Sequence, residues 1–205
     1  MKILTSEKIT TPIGTLQQCN LSPCVEDQFG GEKKVYKGVT QNTYQVDIAF
    51  SKDDKRTKPF IENLNRIQKE LGQRKFGERF KPKHPLIRSS EDLDSKFVIE
   101  NSYILRAKRR CPADNPPLIT LCDKDGSRVL DLGKFYAGCK ARLQIALRTY
   151  DHGGLKGVNA QLLTIQFCGD GEPLFAGSLS GDELGAVDDF DSMSNNSLHD
   201  DMLAA

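Results

Sequence analysis

The sequence predicts a mainly β domain that contains one helix and ends in an acidic tail. Three observations support this prediction: apolar and polar residues alternate in several segments, one segment has apolar residues at helical spacing, and the last 29 residues contain no Lys or Arg. Apolar residues make up 38% of the 205 residues, which suits one globular domain with a modest core. We therefore expect a folded core over residues 1–176 and a disordered, flexible tail over residues 177–205.

Period-two alternation predicts a half-buried strand over residues 43–50. Its apolar face would consist of Tyr44, Val46, Ile48 and Phe50. Similar alternation predicts a second strand over residues 96–107. Between the two, residues 59–71 have apolar side chains at helical spacing, and Gly72 follows as a stop signal. Residues 73–95 are rich in Lys, Arg and Pro without a clear period, which predicts a loop.

The most regular alternation lies in residues 140–150, where one face is apolar and the other carries charged side chains. The apolar face would hold Ala141, Leu143, Ile145, Leu147 and Thr149. Residues 151–154 then form a turn signal, and an extended segment resumes over 155–167, so we predict a hairpin with a loop longer than the tightest type. One helix among several short strands and Gly-rich turns predicts a small β-barrel, with the OB fold first among the candidates.

The charges are segregated along the chain, which gives the first indication of function. All 29 Lys and Arg residues lie at or before Lys156. Residues 1–176 hold 29 basic against 21 acidic residues, a net charge of +8, and the tail holds 7 acidic residues, a net charge of −7. This asymmetry is typical of a basic binding face that carries an acidic tail.

The sequence contains no motif that requires catalysis or a metal. It has no Gly-rich phosphate loop, no GxSxG and no HExxH. Asp123 and Asp125 resemble the start of a calcium loop, but the later ligand positions are missing, so we predict a turn. The six cysteines form no CxxC pair; buried thiols are the favoured interpretation, and a zinc site that includes Cys19 and Cys24 is the weaker alternative. We predict no catalytic residue, no metal and no cofactor.

The N-terminus has no apolar stretch of signal-peptide length, and no segment is long and apolar enough to span a membrane. We therefore expect a cytosolic protein with no membrane contact.

Three groups of cations interleaved with aromatic residues form the candidate binding site. Single-stranded nucleic acid needs cations for its phosphates and planar side chains for its bases. The first group is Arg74, Lys75, Phe76, Arg79, Lys81 and Lys83. The second group is Tyr103, Arg106, Lys108, Arg109 and Arg110. The third group is Lys140, Arg142, Arg148 and Tyr150. In the alternative interpretation the aromatic side chains anchor loops to the core and the cations are ordinary solvent-facing residues.

A block over residues 134–177 carries four sequence elements in a fixed order. These are FYAGC from Phe135, a strand that closes at Tyr150, the Gly-Val pair at Gly157, and DGEPL from Asp170, with the acidic tail close behind. In these elements the chain resembles the phage single-stranded DNA-binding proteins of the T7-related, OB-fold type. Over the rest of residues 8–191 the likeness is one of order and spacing.

The resemblance implies an OB fold, sequence-independent binding of single-stranded DNA, and an acidic tail that contacts replication proteins and competes with DNA. The tail residues it points to are Asp188, Asp189, Phe190, Asp191, Asp200 and Asp201. Related tails often end on an aromatic residue, whereas this chain ends in Ala205, so the resemblance does not extend to the last residues.

We therefore expect a non-enzymatic protein that coats and protects single strands in phage DNA replication and recombination, in the cytoplasm of the infected bacterial host. A single-strand annealing protein is one alternative, and a metal-dependent nuclease is a weaker one. The sequence leaves open the number of nucleotides bound, the preference for DNA over RNA, the partner of the tail, and whether the chain acts as a monomer or a homodimer.

Overall fold

The structure of the chain is a computed structural model that describes residues 3–25, 35–36, 39–93, 98–112, 119–152 and 154–174. Within these ranges the strands are β1 (Thr5–Thr10), β2 (Gly14–Val25), β3 (Val35–Tyr36), β4 (Val39–Ser51), β5 (Ile87–Ser89), β6 (Ser102–Pro112), β7 (Thr120–Cys122), β8 (Lys140–His152) and β9 (Leu155–Gly169). The α-helix α1 spans Thr57–Phe76, and short 3-10 turns lie at Ser90–Asp92 and Leu132–Lys134.

Backbone hydrogen bonds join five of these strands into a closed ring. β2 pairs with β4 and β4 with β6, both antiparallel; β6 pairs in parallel with β9, β9 pairs with β8, and β8 pairs with β2. The other strands extend this ring: β1 lies beside β8, β7 beside β9, β3 beside β4, and β5 beside β6. A five-strand circuit is the arrangement of the OB fold, so the predicted mainly β fold class is confirmed.

The core lies inside the ring. It contains the alternate side chains of β4 and β8 that point inward. Tyr44, Val46, Ile48 and Phe50 are at most 5% exposed, and the inward residues of β8, from Ala141 to Thr149, are at most 1% exposed. Leu64 and Leu71 of α1 belong to the same apolar cluster. The predictions of an inward face for residues 43–50 and for residues 140–150 are therefore confirmed.

The helix is longer than the sequence predicts, and Gly72 does not end it. α1 continues to Phe76 and ends at Gly77, whose φ is +99° and whose N–H donates to the carbonyl of Gln73. Gly72 is buried inside the helix because the ring of Phe80 packs against it; a Cβ at this position would lie 2.0 Å from that ring. The prediction of a stop at Gly72 was wrong because a tertiary contact, not a turn, requires the glycine.

Three further boundaries differ from the predictions. The segment predicted as a loop over residues 73–95 contains the last turn of α1 as well as β5. The strand predicted over residues 96–107 lies at Ser102–Pro112, so the basic residues from Arg106 to Arg110 are part of the strand. The loop of the β8–β9 hairpin is shorter than predicted, because His152 pairs with Leu155 and only two residues connect them.

The turn predicted at Asp125-Gly126 is present, with Gly126 donating its N–H to the carbonyl of Asp123. The chain divides into one unit at Met1–Leu174 and a second at Phe175–Ala205; the second lies outside the described residues, and so does the predicted tail. α1 is the longest helix of the described ranges, and none of their helices combines the length and apolar character that a membrane span requires.

Replacing Gly72 with Ala should lower the free energy of unfolding by about 1–3 kcal/mol, because the added methyl group displaces the ring of Phe80. Replacing Gly with Ala inside a helix usually raises the free energy of unfolding by about 1 kcal/mol, so the change expected here has the opposite sign. Urea denaturation measures it. The matched control is Asn65→Ala on the exposed side of the same helix, which should change stability by less than about 0.5 kcal/mol. A Gly72→Ala protein as stable as the wild type would contradict the packing.

Candidate nucleic-acid interface

The outward side chains of β4 and β6 form one continuous face, here called the β4–β6 face. It consists of Thr43, Gln45, Asp47 and Ala49 from β4 and of Arg110, Lys108, Arg106 and Ile104, each directly opposite, from β6. Four of these side chains, those of Thr43, Asp47, Ala49 and Ile104, are nearly buried, so the accessible part of the face is Gln45, Arg106, Lys108 and Arg110. The side chains between them along β4 point into the core, as the alternation of a strand requires. The second and third strands of an OB circuit are the ones that bind oligonucleotides, and β4 and β6 hold these positions in the ring.

An ion pair lies at the centre of the β4–β6 face. Nε of Arg106 donates to Oδ1 of Asp47 at 2.8 Å, and Nη2 donates to Oδ2 at 2.6 Å. The Asp47 side chain is 4% exposed and that of Arg106 is 43% exposed. The hydrogen bonds that Arg106 donates to Asp47 raise the pKa of Arg106 above its ordinary value. A buried carboxylate needs such a partner, and the two charges cancel. The other two cations among the eight residues of this face are Lys108 and Arg110.

The second predicted group divides between the two sides of β6. Arg106, Lys108 and Arg110 lie on the β4–β6 face, whereas Tyr103 and Arg109 lie on the inward side. Tyr103 packs against the core cluster, and Nζ of Lys52 lies 5.1 Å from the centre of its ring. Arg109 lies opposite the buried Tyr44. Consecutive residues of a strand point in opposite directions, so a run of basic residues cannot share one face.

The first predicted group lies at the C-terminal end of α1 and in the segment that follows. Arg74 and Lys75 are in the last helical turn, where cations interact favourably with the helix dipole. Arg79, Lys81 and Lys83 are exposed beyond it. The rings of Phe76 and Phe80 lie 5.2 Å apart, centre to centre, and Phe80 packs against the core. Phe80 therefore anchors the segment, and the half-buried Phe76 packs beside it.

The β8–β9 hairpin brings Lys156 toward this first group, and it carries Tyr150 on its opposite side. Nζ of Lys156 lies 5.9 Å from the ring centre of Phe76. The ring of Tyr150 lies against Gly157, where a Cβ would be 2.2 Å from the tyrosine hydroxyl. Leu155, at the tip, is 59% exposed. The hairpin corresponds to the loop between strands four and five of the OB circuit, which also contacts oligonucleotides.

Sequence reasoning missed Lys156 and Asp47. Lys156 is the last cation of the chain and follows a turn signal directly, and that position is the signal that could have identified it. Asp47 falls on the polar side of the alternation over residues 43–50, but nothing in the sequence pairs it with Arg106, which is 59 residues away.

The third predicted group is spread along β8 and does not form one cluster. Lys140, at the start of the strand, donates from Nζ to Oγ1 of Thr15 at 2.7 Å. Because Thr15 pairs with Ala49 of β4, Lys140 borders the β4–β6 face. Tyr150 is ten residues away, which is roughly 33 Å along a strand. Arg142 and Arg148 point outward from β8, whose neighbours in the ring are β2 and β9 rather than β4 or β6.

Cys19 and Asp123 were also candidates for metal binding, and within the described ranges the first is partly buried and the second is ion-paired. Burial raises the pKa of Cys19 to about 12 and that of Cys139 to about 11, so both thiols are protonated at neutral pH and are poor nucleophiles. Asp123 pairs with Lys134 at 2.7 Å, and this hydrogen bond lowers the pKa of the carboxyl group. Among the described residues no three His, Cys, Asp or Glu side chains are close enough to hold a metal ion.

The six tail residues singled out in the sequence lie outside the described residues. These are Asp188, Asp189, Phe190, Asp191, Asp200 and Asp201. Their predicted role as a partner-binding segment stays a prediction.

Comparison with known proteins gives one family match and several structural matches. The family described as "Enterobacter phage Enc34, ssDNA-binding protein" matches residues 29–203. The single-stranded DNA-binding protein from bacteriophage Enc34 in complex with single-stranded DNA is 15% identical, with a TM-score of 0.62 over 81% of this chain and 88% of that chain. The chain is also similar to gp2.5, a single-stranded DNA-binding protein encoded by bacteriophage T7. The sequence identity is 12%, and the TM-score is 0.53 over 85% of this chain and 98% of that chain. No curated protein sequence matches the chain.

Replacing Tyr103 with Ala should lower the free energy of unfolding by about 2–3 kcal/mol, because its ring packs on the core. Tyr150 lies on the outward side of β8, and Tyr150→Ala should cost less than about 1 kcal/mol. Urea denaturation of the two variants gives the comparison. Equal losses for the two tyrosines would contradict the assignment of Tyr103 to the inward side and of Tyr150 to the surface.

Proposed function

The chain belongs to the family of the single-stranded DNA-binding protein of Enterobacter phage Enc34, and we propose that it coats single-stranded DNA across the β4–β6 face. The observation that carries this proposal is the position of Lys108 and Arg110. Both lie on the third strand of a five-strand OB circuit, on the face where OB folds bind oligonucleotides.

Two kinds of contact supply the binding free energy. Lys108, Arg110 and the bordering Lys140 neutralise phosphates, and the release of counterions from DNA provides most of the affinity. Planar groups contact the bases; Tyr150 at the β8–β9 hairpin is one, and its ring is held in place against Gly157. The cations near Phe76 and Lys156 extend the positive surface beyond the hairpin. Neither kind of contact reads base sequence, so the binding is independent of sequence.

The biological role that follows is protection of single strands during phage DNA replication and recombination, without enzymatic activity, in the cytoplasm of the infected host. Replication proteins bind the acidic tail, which carries seven acidic residues and no basic residue. Because it is attached to a core of net charge +8, the tail also competes with DNA for the same cations.

The protein should bind single-stranded DNA more tightly than the corresponding duplex, because paired bases are not available for stacking. If about four to six phosphates are neutralised, the slope of log affinity against log salt should be roughly −3 to −4, from about −0.7 per contact. Fluorescence anisotropy with a labelled oligothymidylate, alone and annealed to its complement, measures both quantities. Equal affinity for the two forms, or an affinity that does not change with salt, would contradict the proposal.

Deleting residues 178–205 should increase the affinity for oligothymidylate at low salt, and the gain should shrink as salt screens the tail. The matched control keeps the length of the tail and replaces its seven acidic residues with Asn or Gln. Both variants should gain affinity to a similar extent, because charge and not length is responsible. If neither variant binds more tightly than the full chain at low salt, the tail does not compete for the DNA-binding face.

A further inference from the structure

We infer that Asp47 is a positioning residue that holds the guanidinium group of Arg106 as a planar contact surface for a base of single-stranded DNA. The inference rests on the proposed function and deepens it, because it assigns separate roles to the cations of the β4–β6 face.

The geometry of the pair fixes the guanidinium group. Two of its nitrogens, Nε and Nη2, donate to the two oxygens of one carboxylate, so the planar group cannot rotate without breaking a hydrogen bond. The carboxylate is itself held in the wall of the ring, since the Asp47 side chain is 4% exposed. The Arg106 side chain is ten times more exposed, at 43%, so a ligand can reach this side chain.

The charge of the pair makes Arg106 a poor phosphate contact. The carboxylate neutralises the guanidinium at 2.6 Å, and its own negative charge repels a phosphate placed beside it. A base carries no such charge, and arginine guanidinium planes stack on unpaired bases. The pair is therefore suited to a base and unsuited to the backbone of the strand.

The composition of the face supports the same assignment. The eight residues of the β4–β6 face, all of them described, include no aromatic side chain, and Tyr103 on the same strand points inward. Planar surfaces on this face come from guanidinium groups, and that of Arg106 is fixed by a buried carboxylate. Lys108, two residues further along β6, is placed to contact the phosphate backbone beside a base on Arg106.

Arg106→Lys tests the role, because it keeps the charge next to Asp47 and removes only the planar group. Its affinity is measured by fluorescence anisotropy for oligothymidylate and for an abasic oligonucleotide of the same length. We expect binding to oligothymidylate to weaken about tenfold, as for the loss of one stacked base, and binding to the abasic strand to stay within about twofold. The matched control is Arg66→Lys on the exposed side of α1, where the guanidinium group pairs with Glu70 outside the β4–β6 face. Both affinities of this variant should stay within about twofold.

A loss of equal size on both oligonucleotides, or no loss on either, would overturn the inference. A wild-type protein that does not bind oligothymidylate would instead contradict the proposed function. Asp47→Asn provides a second test if Arg106→Lys does not fold. We expect its preference for oligothymidylate over the abasic strand to fall, and its salt slope to steepen by up to about 0.7, because the guanidinium is released as a cation. A lower melting temperature with unchanged preference and slope would show a merely structural role and overturn the inference.

Discussion

The contact between β2 and β8 closes the ring of strands, and the position of the binding face depends on it. Gly14 and Thr15 pair with Ala141 and Lys140, and the N–H of Leu16 donates to the carbonyl of Cys139 at 2.9 Å. Without this contact the first residues of β2 and of β8 would lack a partner on that side, and the ring could open. Closure turns the apolar sides of the strands inward and places Lys140 beside the outward side of β4.

Different residues of the closed ring would attract a DNA strand and orient it. At the centre of the β4–β6 face, Asp47 and Arg106 cancel, and burial of the carboxylate makes their arrangement rigid. The net positive charge comes from Lys108 and Arg110 on the same strand and from the cations around Phe76 and Lys156. Charge at the periphery attracts a strand from solution, and a fixed centre can orient it.

The sequence predicted those parts of the structure that depend on a local pattern. The inward faces of β4 and β8 follow from alternation, and the family resemblance in residues 134–177 agrees with the family match over residues 29–203. The errors arose where distant residues decide the outcome. Gly72 looked like a helix stop because its contact with Phe80 is tertiary, and the basic run on β6 looked like one cluster because a linear sequence does not show which face a residue occupies.

The central claim is that single-stranded DNA lies across the outward side of β4 and β6 and reaches the β8–β9 hairpin. Ultraviolet cross-linking of the full chain to an oligothymidylate that contains a photoreactive thymine, followed by mass spectrometry, locates the path directly. The account predicts cross-linked peptides from β4, β6 and the hairpin around Tyr150, all of them lost on addition of unlabelled oligothymidylate. Cross-links confined to β1 and to the outward side of β8 around Arg142 would contradict it.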